Sequence, residues 1–388
     1  MALTPGLGPR RIQRAVRGLR EVAELFRLPL TALEALQIPV GSARFIAEGK
    51  ARNAAEEEWQ KICDSGCSVM TLADADYPER LREIFDPPPV LWVRGDRGLL
   101  SQPSIAVVGT RAPSPYGIGM AEMLSRDLAA RRVVILSGMA RGVDTAAHKG
   151  ALSVLNSAGR TVAVWGTGLD VVYPKENKRL AEEIILAGGT IVSEQPMGTF
   201  PAPQNFPLRN RIISGMSVGV LVVEAAEQSG TRVTARCALE QNRDVYAVPG
   251  NVTSRNAWGP NTLIKQGAKL TATWEDIWEE LPSQIRLELE GREGYRSGGQ
   301  ADLFASSEGG TASLLRQGEA MLPPGPPLTP AESAVYGMLR LDQALHMEEL
   351  LEQLEGQVTS AEVFTALFEL ELNNHIRQLP GKNYVRRM

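Results

Sequence analysis

The sequence predicts an α/β protein whose centre is a doubly wound parallel sheet, with a smaller domain at either end. Three observations predict it. Six short apolar runs alternate with amphipathic segments between residues 104 and 250, the pattern of parallel strands covered by helices on both faces. Each run ends in a polar loop, most of them built from glycine, hydroxyl and basic residues, and such loops gather at one edge of a parallel sheet. On both sides of this region the apolar spacing turns helical.

Residues 1–85 read as a helical domain with turn punctuation. Thr4-Pro5-Gly6-Leu7-Gly8-Pro9-Arg10-Arg11-Ile12 has the form of a helix-hairpin-helix turn, where glycines let backbone N–H groups approach a phosphate. The alternative is a small SAM-like module whose Arg10, Arg11, Arg14, Arg17 and Arg20 form a solvated face. Residues 86–281 make the sheet domain. Its strands are expected at Ile105 to Val108, Val133 to Leu136, Thr161 to Trp165, Thr190 to Val192, Val218 to Val223 and Asp244 to Val248. Helices are expected near 117–130, 142–156, 177–187, 207–215 and 231–241, with Trp274 to Leu281 closing the domain. Glycine pairs and the run Pro323-Pro324-Gly325-Pro326-Pro327 mark 282–327 as a flexible linker. In 328–388, helices near 330–340, 346–354 and 359–372 precede a hairpin turned by Pro380-Gly381, the plan of a winged helix.

Composition narrows the function. A chain of 388 residues with 43% hydrophobic content has ample material for a large core. With no uninterrupted apolar stretch of eighteen residues and no apolar leader, a cytoplasmic address without a membrane partner is expected. Cys63, Cys67 and Cys237 cannot build a disulfide framework, and three histidines leave a metal cage poorly supplied, so neither metal nor cofactor is expected. A net charge of −4 excludes histone-like bulk attraction to a polyanion. Basic residues nevertheless cluster: 101–150 holds six against three acids, so a polyanion would be met locally.

The loops carry the chemistry. After the first strand, Gly109-Thr110-Arg111 combines a glycine for close approach with a guanidinium fork ahead of a helix. After the second comes Ser137-Gly138-Met139-Ala140-Arg141, and after the third Gly166-Thr167-Gly168 running on to Lys175. The segment Phe206-Pro207-Leu208-Arg209-Asn210-Arg211 adds two arginines two positions apart, so in a regular helix only one of them faces a given site. Phe206 is either a stacking platform for a base or a core residue. Neither GxxxxGK[ST] nor GxGxxG is present, which argues against a P-loop ATPase and against a dinucleotide site. Asp144 and His148 share a helix face as a base and its orienter, or as a structural hydrogen bond.

Taken in order, these loops closely resemble the DNA-processing protein A family (DprA, or Smf). The matching residues are Val108 to Arg111 with Tyr116-Gly117, Ser137-Gly138 to Asp144 with His148, Leu169-Asp170 to Tyr173-Pro174, Ser193-Glu194, Phe206 to Ser214, Ser229-Gly230 to Thr234, Val248-Pro249-Gly250 and Gly259 to Ile264. The resemblance spans about 70–280. It implies an extended Rossmann-like core that binds single-stranded DNA without turnover. It further implies loading of RecA recombinase during natural transformation, with single-strand-binding protein as a further partner, and a homodimer. Where the family usually has Ser-Gly-Ser-Leu-Ile-Thr, this chain has Ser229-Gly230-Thr231-Arg232-Val233-Thr234, which adds a charge. The single-stranded DNA site is therefore expected at Gly109, Thr110, Arg111, Ser137, Gly138, Arg141, Gly168, Lys175, Phe206, Arg209, Asn210 and Arg211. The competing reading is a nucleotide-processing hydrolase using Asp144, His148 or Glu224. A third makes the winged helix the DNA reader through Lys382, Arg386 and Arg387, against which stand Glu362, Glu369 and Glu371 on its third helix.

Overall fold

The computed structural model describes residues 1–17, 19, 21–154, 160–227, 229–294, 329–339, 345–354, 358–372, 375–379 and 383–386. The chain divides into two units, Met1–Asp302 and Leu303–Met388.

The first unit opens with α1 (Pro9–Val16), α2 (Leu30–Ala35), α3 (Val40–Ala47) and α4 (Lys50–Ser65). Leu7, Ile12, Ala15, Leu25, Leu33, Ile38, Ala43 and Ile46 close around one another as a small core of their own. The basic residues of α1 are engaged within the chain. Arg11 donates to Gly6 O at 2.8 Å, Arg14 donates to Gln37 Oε1 at 2.8 Å, and Arg10 lies 3.7 Å from the centre of the Phe85 ring. The long α4 leaves this core and packs on the sheet, where the buried Glu58 accepts the Met197 N–H at 2.6 Å.

The main sheet follows: β1 (Ser68–Thr71), α5 (Glu79–Arg82), β2 (Val90–Gly95), β3 (Ser104–Val108), α6 (Pro115–Ala130), β4 (Val134–Ser137), α7 (Val143–Leu152), β5 (Thr161–Trp165), α8 (Lys178–Leu186), β6 (Thr190–Ser193), α9 (Asn205–Met216), β7 (Gly219–Val222), α10 (Thr231–Glu240), β8 (Asp244–Ala247), α11 (Trp258–Lys265), β9 (Lys269–Leu270), α12 (Glu275–Trp278) and α13 (Ser283–Gly294). Nine strands lie in the order β1-β2-β6-β5-β4-β3-β7-β8-β9. The seven from β6 to β9 are parallel, and β2 runs antiparallel to both β6 and β1. The central strands are apolar throughout because helices bury both faces. On one face α9 and α10 contribute Ile212, Ile213, Met216, Ala235 and Ala238. On the other α6, α7 and the closing helices contribute Leu124, Leu128, Ala147, Ile277 and Leu281.

All six expected strands are present within a residue or so of their predicted bounds. Two boundaries move. Ser68–Thr71, placed by the sequence in the N-terminal helical domain, is a strand paired with Val90–Val93, so the sheet domain begins near 68 instead of 86. The start of the expected linker is helix α13, whose Ile285 and Leu289 stand four residues apart and join the apolar layer beneath α6. The remainder of that linker, 295–327, lies outside the described residues.

The second unit contains α14 (Pro330–Met338), β10 (Leu345–His346), α15 (Met347–Gln353), α16 (Ser360–Leu372), β11 (Ile376–Leu379) and β12 (Asn383–Arg386). Its three strands pair antiparallel in the order β10-β12-β11, and Val335, Leu350, Val363, Leu367 and Leu370 fill its core. Thr329 opens α14 with a reciprocal capping box to Glu332. Three helices with a wing are as the sequence predicts; Lys382 and Arg387 lie outside the described residues. Among the described residues no helix is long and apolar enough to cross a membrane.

Candidate nucleic-acid interface

The strand order puts β3 at the switch point of the sheet. From β3 the chain winds outward through β4, β5 and β6, then returns to place β7 on its other side. The loops after β3 and β7 therefore part, and ligands of doubly wound sheets bind in the gap between such loops. A cleft of about 640 Å³ opens there, lined by Gly109, Thr110 and Arg111 on one side and by Ser229 to Thr231 with Thr234 on the other. Its remaining wall is the start of α9, with Phe206, Arg209 and Asn210, and Tyr173 from the loop after β5.

Helix α9 decides between its two arginines. Arg209 faces the cleft, buried to its tip, with Nε lacking a hydrogen-bond partner. The Nη1 edge of its guanidinium lies against Gly138, where a methyl group would stand 2.7 Å from Nη2 and closer still to Cζ and Nη1. Only glycine leaves that space. Burial holds the Arg209 guanidinium below its usual range, opposed by the charge of Asp144 and reinforced by Arg111. Arg211, two positions on, points the other way. Its Nη2 donates to both oxygens of Glu194, at 2.5 and 2.6 Å, and its Nε lies 3.2 Å from Asp86 Oδ2 as an ion pair without hydrogen-bond alignment.

The aromatic groups complete the wall. Tyr173 and Phe206 rings are tilted against one another with centroids 5.5 Å apart, and the Arg111 guanidinium lies 5.8 Å from the Phe206 centroid. Bases stack on such surfaces while guanidinium groups hold the adjoining phosphates.

Backbone N–H groups beside the cleft are occupied by the protein's own carboxylates, at the start of α6 and in the loop before α7. At α6, Ser114 N–H donates to Glu224 Oε2 at 2.8 Å and Ser114 Oγ donates to Oε1 at 2.5 Å. In the loop before α7, the N–H groups of Gly138 and Ala140 donate to Asp144 Oδ2 at 3.1 and 3.2 Å. Burial raises the Asp144 pKa, opposed by Arg209 and by these N–H groups. The Gly142 turn at φ +82° brings Val143 N–H to Thr110 O at 3.2 Å and ties the two loops together. His148 lies beneath, fully buried, with Nδ1 2.7 Å from Thr161 Oγ1. Because Thr161 Oγ1 donates to Ile135 O, the network assigns the proton to Nδ1. Burial, with Arg209 nearby, pulls the imidazole down to about 3, so it is neutral and structural.

The expected site thus assembles in part. Gly109, Thr110, Arg111, Phe206, Arg209 and Asn210 line the cleft, while Gly138 and Arg141 line a narrow recess that shares Arg111, Phe206 and Arg209 with it. Four expected residues stand elsewhere. Ser137 is buried beneath the site, donating to Val107 O at 2.7 Å. Gly168 packs against the loop after β6, its N–H donating to Thr199 O at 3.0 Å. Lys175 is exposed beyond Pro174 and is absent from the lining, and Arg211 belongs to the Glu194–Asp86 pair. The sequence reading passed over Tyr173 and Thr231 as site residues; the signal available was their position on strand-end loops at the same edge.

Fold and cleft define a Rossmann-like α/β protein with a basic, aromatic-walled strand-end site and an appended winged helix. The family model for DNA recombination-mediator protein A matches residues 68–282, and that for the DprA winged helix domain matches 319–382. Protein Smf of Escherichia coli is 40% identical over 327 residues, covering 81% of this chain and 76% of the relative. DNA processing protein DprA of Bacillus subtilis is 42% identical over 222 residues, covering 57% and 73%. The X-ray structure of DprA from Streptococcus pneumoniae superposes with a TM-score of 0.64 at 34% identity, covering 72% of this chain and 96% of that one. The chain belongs to the DNA recombination-mediator protein A family, DprA/Smf.

Proposed function

We propose that this chain binds single-stranded DNA in the cleft at the β3/β7 switch point and acts as a recombination mediator, without chemical turnover. The observation that carries the reading is the convergence of Arg111, Arg209 and the Tyr173–Phe206 pair on one cleft, beside backbone N–H groups closed by Glu224 and Asp144. Phosphate is then met by guanidinium groups and bases by rings, which suits a splayed strand over a stiff duplex. The same closure weighs against the hydrolase reading. Asp144 and Glu224 are held by backbone N–H groups, and His148 is buried and neutral, so none of these three candidates is free to act as a base over the cleft. Family membership supports the finer reading: delivery of the strand to RecA in natural transformation, displacement of single-strand-binding protein, a homodimer and a cytoplasmic address.

Anisotropy with matched single- and double-stranded oligonucleotides across a salt series tests the site. Single-strand selectivity, a steep salt dependence and a loss of tenfold or more in Arg111→Ala are expected. Equal binding of both forms, or an Arg111→Ala variant with unchanged affinity and salt slope, would overturn it.

A further inference from the structure

Across the 110–114 loop from the arginine cleft lies a second opening of about 500 Å³. Tyr116, Val248, Asn251 and Ser254 stand in its wall, and the buried Glu224 carboxylate contributes to its floor. The loop between the two openings is fixed: Asn256 Nδ2 donates to Ala112 O at 3.0 Å and lies 3.4 Å from Glu224 Oε2. Tyr116 is half exposed, and its hydroxyl donates to Pro249 O at 2.8 Å, which holds the ring as a fixed plane.

The chemistry of this opening is the reverse of its neighbour's. Among the described residues no lysine or arginine lines it, and a phosphate entering it would meet the Glu224 carboxylate. Burial and then the charge of Glu224 raise the Tyr116 phenol, so the carboxylate's field reaches the ring. A flat, uncharged group carrying N–H donors fits such a place. Adenine, cytosine and guanine each carry an exocyclic amine to offer a carboxylate, and thymine carries none. Arg111 and Ser114 are three residues apart, a span of at most about 11 Å, so a strand held at Arg111 reaches the opening with its neighbouring nucleotides. Arg255 stands exposed next to Ser254.

We propose that this second opening is a base-binding subsite that stacks a nucleobase on Tyr116 and selects an amine-bearing base through Glu224. It rests on the reading of the neighbouring cleft as a single-strand site, and extends that site by a base-selective position.

The test uses the full chain and labelled oligothymidylates carrying one cytosine moved position by position. At one position cytosine should tighten binding about fivefold or more over all-thymine. The gain should vanish in Tyr116→Leu and shrink in Glu224→Gln. No cytosine effect at any position, or a gain that survives Tyr116→Leu, overturns the subsite. Arg111→Ala, measured on all-thymine strands, reports separately on the parent cleft. A cytosine gain that depends on Tyr116 supports the subsite whichever way that variant behaves.

Discussion

Gly138→Ala is expected to abolish the function of Arg209 without touching it. A methyl at residue 138 would stand 2.7 Å from Arg209 Nη2 and closer to Nη1 and Cζ, well inside contact distance. What gives way is the end of a flexible side chain, and Gly138 has no positive φ to strain, so the fold should lose about 1 kcal/mol or less. The guanidinium, however, must leave its seat. A hydrogen bond to a charged group contributes about 1.5–3 kcal/mol, so single-strand affinity should fall by about 10- to 150-fold. The salt slope should drop by about 0.7, the share of one phosphate on a single strand. Anisotropy across a salt series, with thermal melts alongside, would compare wild type, Gly138→Ala, Arg209→Ala and the double variant. Because both changes remove the same contact, the double variant should bind like either single one. Binding by a folded Gly138→Ala protein within twofold of wild type, or full addition of the two losses, would refute the reasoning.

Three further outcomes follow from the site's surroundings. His148 is held near 3 in the fold against about 6.5 in the unfolded chain, so its contribution is intact above 6.5 and is lost as pH falls towards 3. At pH 5 the loss is about 2 kcal/mol, and His148→Gln should show a drop in urea-unfolding stability from pH 7 to 5 smaller by that amount; equal drops would contradict the buried neutral imidazole. Glu194→Gln weakens the charged partner of a buried arginine and should destabilise the fold by about 1.5–3 kcal/mol with the DNA salt slope unchanged, whereas a changed slope would return Arg211 to the DNA site. Gly150→Ala puts a methyl 2.8 Å from Glu122 Cα where α7 crosses α6, and should lower the unfolding free energy by about 1–3 kcal/mol while leaving DNA affinity alone; an unperturbed melt would show that the helices can part.

The central strands were legible because burial on both faces makes the apolar run and the strand the same stretch of sequence, as Thr161–Trp165 shows. β1 and β2 escaped that test. Three of the four residues of β1 are only partly buried, and its pairing with 90–93 is non-local, so no short window announces it. In α13 the signal of Ile285 and Leu289 was present but diluted by charged neighbours and glycines. At the site, helical spacing alone showed that Arg209 and Arg211 could not both face one cleft. Which one does was decided by Glu194 and Asp86, contributed by other loops. Lys175 and Gly168 lay on the correct edge, but edge position does not fix which way a loop turns.

The backbone N–H groups held by Glu224 and Asp144 also bear on which ligands the cleft favours. Mononucleotides and dinucleotide cofactors owe much of their hold on sheets of this type to backbone N–H groups that receive their phosphates, and here Glu224 occupies the Ser114 N–H at the start of α6 while Asp144 occupies those of Gly138 and Ala140. A single nucleotide would engage only part of a cleft that holds Arg111, Arg209 and the Tyr173–Phe206 pair, whereas a polymer would add such contacts residue after residue. Affinity is then expected to rise with strand length, and a mononucleotide to compete poorly.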